Sequence, residues 1–167
     1  CGAYFLEGNM MHLRDRAASL SHVGYPVPLG IRMKLRSPQA VVYFAWNPKD
    51  AEAWLEATSP KPTAERQELM FKAMDFAREH GFAVLVRRPG FDVTATAPVQ
   101  DVGADSDELP VIPVAGVEAE QIYPIGALMA PVFDAKGKVS FELVMAGFHG
   151  NMSGTQILAA GARLRAA

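Results

Sequence analysis

Hydrophobic and polar positions change period several times along this chain, and each change predicts an element. Residues 1–6 and 10–14 are short and largely apolar, and Glu7-Gly8-Asn9 between them tolerates positive φ, so the three pieces read as a β-hairpin. Residues 17–30 are punctuated by Gly24, Pro26, Pro28 and Gly30 and read as loop. Ser37-Pro38 then opens an apolar run to Trp46. Ser at the N-cap and Pro at the first helical position predict a helix, and its lack of a polar face predicts that it is buried. Asn47-Pro48 repeats the signal for a second helix to about Ala57, with Ala51, Trp54 and Leu55 inward. Residues 64–80 are amphipathic, with Leu69, Met70, Ala73, Phe76 and Ala77 at helical spacing, and Gly81 stands where a C-cap glycine belongs.

The second half returns to strand periodicity. Residues 82–86 read as a buried strand. Residues 87–121 carry little pattern: an acidic stretch from Asp101 to Glu108 predicts a mobile loop, and the apolar pieces 93–99 and 111–117 are each compatible with a short strand. Residues 126–133 and 138–147 are strands around the turn Asp134-Ala135-Lys136-Gly137. Residues 148–152 read as loop. Ser153 with Gln156 three residues on is a capping box, opening a last helix that buries Ile157, Leu158, Gly161 and Leu164. Arg163 and Arg165 suit the negative end of that helix. Hairpin, helices, strands, hairpin, helix is an α+β order with an antiparallel sheet and helices on its faces, in a single domain.

Composition narrows the function classes. The chain has 167 residues, 16 Lys+Arg against 18 Asp+Glu and a formal charge of −2. A nearly neutral chain lacks the basic face that grips nucleic acid. No apolar run approaches the ~20 residues needed to cross a bilayer, and one cysteine excludes an internal disulfide. His12, His22, His80 and His149 are scattered, without metal-ligand spacing, and no phosphate-binding glycine loop or nucleophile elbow is present. Metals and cofactors are therefore not expected. Asp101, Asp105, Asp107 and Glu108 do not fit an EF-hand. The first residue is Cys1: it is an N-terminal nucleophile with its amine as base, a cysteine lipidated after signal cleavage, or the point where the ordered part of a longer chain begins. A helix start at residues 37–40 offers backbone N–H groups of Gln39 and Ala40 to a carboxylate, unless the Ser37 hydroxyl satisfies them.

Taken in order, these stretches resemble the effector-binding domain of IclR-type bacterial transcriptional regulators. Residues 130–139, Ala-Pro-Val-Phe-Asp-Ala-Lys-Gly-Lys-Val, are similar to that family's hairpin, followed by a strand ending at Gly147 and a C-terminal helix. Glu79-His80-Gly81-Phe82-Ala83-Val84 resembles the end of the family's long helix. Val23-Gly24 with Pro28-Leu29 resembles the entry to its pocket helix, and Met11-His12-Leu13-Arg14 its second strand. The resemblance implies a GAF-like fold, an antiparallel sheet flanked by helices over residues 1–167, with a small-molecule pocket and no catalysis. It implies an N-terminal winged helix-turn-helix outside this chain as the only DNA contact, dimers or tetramers, and a cytoplasmic protein without membrane association. Known effectors of the family are mostly small organic acids and aromatic catabolites.

Carried over by position, the pocket is lined by Ser37, Gln39 and Ala40 at the helix start, by Pro131, by Glu142, Val144 and Ala146 along one strand face, and by Gln121 and Tyr123. The chain departs from the pattern in extra residues at 30–35, in a longer stretch at about 89–118, and in Val144 and Ala146, where some members that bind small acids have hydroxyls. An inward Glu142 would repel an anion and favour a cation or a donor group. A larger, partly apolar ligand follows; tight binding of only small polar acids such as glyoxylate would contradict it. The alternatives are an enzyme using Cys1 or Glu142, and a stand-alone GAF-like sensor or interaction module. Tyr4, Phe5, Met10 and Met11 are expected as apolar surface for self-association or for a preceding helix.

Overall fold

Alternation builds the N-terminal hairpin. In the computed structural model, which describes residues 1–18, 28–59, 61–90 and 110–167, strands β1 (Gly2–Glu7) and β2 (Met10–Arg16) pair antiparallel, with Tyr4 opposite Leu13 and Leu6 opposite Met11. Gly8 turns the chain at φ 63°. Opposed residues of an antiparallel pair share a face, so Tyr4, Met11 and Leu13 all point into the core, at 8%, 2% and 1% exposure. This corrects the expectation of an apolar outer surface. Only Met10 of that set is exposed, and Phe5 is half-buried in a stack on Phe141 with ring centroids 4.7 Å apart.

Residues 30–35 are not a simple insertion. Strand β3 (Arg32–Lys34) adds to β2 at the sheet edge, with Met33 opposite Met11. Helix α1 (Ser37–Phe44) follows, with Pro38, Ala40, Val41, Val42 and Tyr43 buried. Its N-cap is Arg36, one residue before the expected Ser37, and no side chain caps it. Helix α2 (Pro48–Ala57) buries Ala51 and Leu55, while Trp54 is half-buried and donates to Asn9 Oδ1 at 2.9 Å. Helix α3 (Ala64–His80) has both its expected ends. The Thr63 hydroxyl accepts from the Arg66 N–H, and Gly81 closes it at φ 79°.

Strand β4 (Ala83–Arg87) is as expected, and β5 (Val111–Pro113) occupies only the start of the apolar piece 111–117. The piece 93–99 and the acidic stretch 101–108 lie outside the described residues. Strand β6 (Ile122–Tyr123) leads into β7 (Ile125–Phe133), which turns back into β8 (Val139–Ala146). A two-residue strand β9 (Met152–Ser153) pairs with β6, in the stretch expected as loop. Helix α4 (Gly154–Arg165) closes the chain under the full Ser153–Gln156 capping box. Replacing Ser153 by Ala leaves the Gln156 N–H without its cap and is expected to lower stability by about 1 kcal/mol, read as a shift in the urea midpoint with unchanged slope.

Seven strands form one antiparallel sheet in the order β3-β2-β1-β8-β7-β4-β5. Helices α1 and α3 cover one face, where Tyr4, Met11, Leu13, Leu85 and Met129 meet Ala40, Val41, Met70, Ala73 and Met74. Helix α4 covers the other, with Ile157 and Leu164 against Val84, Leu128 and Ala130. The architecture is α+β with helices on both faces of an antiparallel sheet, as expected.

Candidate functional site

Strand β8 crosses the middle of the sheet, and its two-residue period aims Glu142 at the α1 side. Glu142 lies opposite Tyr4 of β1 and opposite Pro131 of β7, while Val144 lies opposite Gly2 and Met129. Glu142 is therefore in the inner layer, at 0% exposure, and is the buried charged residue of the described core. Among the described residues, neither of its carboxyl oxygens has a hydrogen-bond partner. Burial pushes its pKa well above the ordinary carboxylate range, because taking a charged group out of water disfavours the ionised form.

Helix α1 forms the roof over this acid. The Tyr43 hydroxyl donates to the Tyr4 carbonyl at 2.7 Å, which fixes α1 against β1 at the residue opposite Glu142. Burial raises the phenol pKa of both Tyr4 and Tyr43, and the nearby Glu142 adds to it. Gln39 stands four residues before Tyr43, so the two share one face of α1, a turn apart. Its side-chain oxygen is buried and also lacks a partner. Buried polar atoms in native proteins nearly always have partners. Here three of the four side-chain orphans among the described residues belong to two facing elements, α1 and β8; the fourth is His12 Nδ1 on β2.

The expected site residues divide. Ser37 and Gln39 are half-buried at the start of α1 and Ala40 is fully buried. The Ala40 N–H is not a free donor: it bonds the Arg36 carbonyl at 2.9 Å. With the cap at Arg36 and Pro38 lacking an N–H, the donors left at that helix end are those of Ser37 and Gln39. Pro131, Glu142 and Val144 are joined on the inner face of β7 and β8, and Ala146 lies on the same face at the exposed end of β8. Gln121 and Tyr123 are not brought to them. Tyr123 is buried in the α4-side cluster, its hydroxyl accepting from the Glu118 N–H at 2.8 Å and donating to Gln121 Oε1 at 3.2 Å, and Gln121 is exposed. The β6–β9 pairing holds this segment on the far side of the sheet. Tyr4 and Tyr43 were missing from the expected set. Helical spacing from Gln39 would have found Tyr43, whereas Tyr4 requires the β1–β8 register.

A concavity of about 440 Å³ lies open between α3 and residues 115–117. Lys72, Asp75 and Glu79 on its wall carry mixed charge, so it presents no single sign to a ligand.

No family model matches the sequence, and no curated protein matches it. Solved structures do. A domain of a transcriptional regulator of the IclR family superposes with a TM-score of 0.58 at 17% identity, over 99% of this chain and 79% of that one. The repressor BlcR of Agobacterium tumefaciens superposes with a TM-score of 0.54 at 14% identity, over 99% of this chain and 55% of that one. The fold is the one these two regulator structures share. At these identities the fold is what is shared, and the chain spans about half the length of the BlcR chain. In this IclR-type fold, Glu142 sits in the inner sheet layer beneath α1, and no helix of the described residues is long and apolar enough to cross a membrane.

Proposed function

We propose that the chain is the ligand-sensing domain of a transcriptional regulator. It binds a small organic effector between α1 and the sheet and passes its state to a winged helix-turn-helix outside this chain, which alone touches DNA. The observation that carries this reading is the regulator fold, shared over 99% of the chain with an IclR-family domain and with a repressor. The orphaned polar atoms of Gln39 and Glu142 support the location of the site. Ser37, Gln39, Ala40, Pro131, Glu142, Val144 and Ala146 line it. The near-neutral charge supports a sensing rather than a DNA-gripping role for this part. Signalling requires two states with different ligand affinity, and association into dimers or tetramers is the means by which such states would reach paired DNA-binding heads.

The enzyme alternative finds less support. It needed either Cys1 or Glu142 as the reactive group: Cys1 is exposed at the chain start, with its amine donating to the Ala17 carbonyl at 2.8 Å, and Glu142 is fully buried. A thermal-shift screen over carboxylic acids, aromatic catabolites, amines and sugars tests the sensing reading. A ligand at 100 times its Kd is expected to add ~2.7 kcal/mol. Failure of every compound class to raise Tm would leave an interaction module instead.

A further inference from the structure

A ligand site under α1 says nothing yet about the ligand's chemistry; three orphan oxygens on α1 and β8 bear on it. Glu142 Oε1, Glu142 Oε2 and Gln39 Oε1 are all buried and all without a donor. Among the described residues, the groups that face Glu142 add no positive charge: β1 presents Tyr4, α1 presents Tyr43, β7 presents Pro131, and β2 presents Leu13 next to Tyr4. The Tyr43 proton is already committed to the Tyr4 carbonyl. A carboxylate ligand set beside Glu142 would find at most the single O–H of the neutral carboxyl, with the other acid oxygen and the Gln39 oxygen still lacking donors, and a like charge once that acid ionises. A hydroxyl would supply a single donor. An ammonium group supplies three donors and a charge opposite to that of the ionised acid.

We propose that Glu142 and Gln39 form the recognition site for a protonated amine, so that this sensor reads an amine-bearing compound and not a carboxylate alone. The inference rests on the sensing reading above and specifies its ligand. Glu142 is the anchor: its carboxylate pairs with the ammonium, while the Gln39 amide oxygen accepts another N–H. Burial favours the neutral form of the empty acid, so where that form is populated binding is a proton exchange. The neutral carboxyl and the ammonium ion combine to give a carboxylate–ammonium pair, and the carboxyl proton goes to solvent. Amine affinity therefore rises with pH until Glu142 is ionised in the empty protein.

Matched probes test this. Benzylamine against benzoate and hexylamine against hexanoate differ in the head group while keeping a similar apolar body. The amines are expected to raise Tm and the acids to leave it unchanged. Calorimetry in two buffers of different ionisation enthalpy is expected to show up to one proton released per amine bound. Glu142→Gln, nearly isosteric and checked for folding by circular dichroism, is expected to weaken the amine by about tenfold or more and to abolish the proton release. Gln39→Leu is expected to weaken it by about threefold to tenfold. Stabilisation by the acids and not the amines, no stabilisation by the amines while other classes in the wider screen bind, or amine binding unchanged by Glu142→Gln each overturn the inference and leave the sensing reading standing. Silence across the whole screen overturns both.

Discussion

Replacing Glu142 by Met is expected to stabilise the protein, by about 1–3 kcal/mol at pH 7, and to do so more strongly as pH rises. The side chains have similar volume, so no cavity opens. What disappears is a buried acid with two unpartnered oxygens, facing Tyr4, Tyr43, Pro131 and Val144-side apolar surface. The sign follows from linkage. Burial raises the folded-state pKa of Glu142 above its unfolded value, so the folded protein binds this proton more tightly than the unfolded chain. The associated stability is fully present below the unfolded pKa of about 4.3. It is lost as pH rises toward the folded pKa, at up to ~1.4 kcal/mol per pH unit. Urea unfolding of both proteins at pH 5 and pH 8 measures it: the wild type should lose stability across that interval and Glu142→Met should lose less. Parallel pH profiles would show that Glu142 is not the orphan acid described here.

The second large effect is at Gly161. A glycine in mid-helix ordinarily gains about 1 kcal/mol of stability on replacement by Ala. Here Gly161→Ala is expected to lose about 1–3 kcal/mol, because a Cβ on this residue would fall within the ring of Phe82. The ring has nowhere to go: Phe82 is 2% exposed and meets Phe76 edge to face with centroids 5.8 Å apart. Close approach of α4 to the sheet is what Gly161 permits, and Ile157 and Leu164 on the same helix seal the α4-side core. Thermal unfolding of Gly161→Ala, of Phe82→Leu and of the double variant separates the mechanism. Relief of the clash makes the double variant less destabilised than the sum of the singles. A stabilised Gly161→Ala would refute the close packing.

Local signals determined much of this fold from the chain itself. The Thr63 cap and Gly81 bound α3, the Ser153–Gln156 box opens α4, and Asp134 to Gly137 turns β7 into β8, with the Gly137 N–H donating to the Asp134 carbonyl at 3.0 Å. Each depends on residues within a few positions of one another, so the sequence states it directly. The face that carries Glu142, Val144 and Ala146 was likewise legible from the period of two in β8. The resemblance of ordered short motifs to IclR-type domains reached the fold that the solved regulators share.

Other features needed the tertiary structure. Three-residue β3 and two-residue β6 and β9 are too short for a period: β3 exists because β2 gives it a partner, and β6 and β9 because they pair with each other. The α1 cap moved to Arg36, where the backbone is extended at φ −123° and ψ 163°, because the preceding β3 delivers the chain there in that conformation. Tyr4 and Met11 became core residues through cross-strand register, which the apolar content of a hairpin does not reveal. Gln121 and Tyr123 went to the α4 side through a pairing with residues about thirty positions away. By itself the sequence determined that Glu142 lies on the same strand face as Val144 and Ala146. Only the tertiary structure decided that β1, α1 and β7 enclose it without a donor, because burial and the absence of a partner come from residues more than a hundred positions apart in the chain, brought together when β1 pairs with β8.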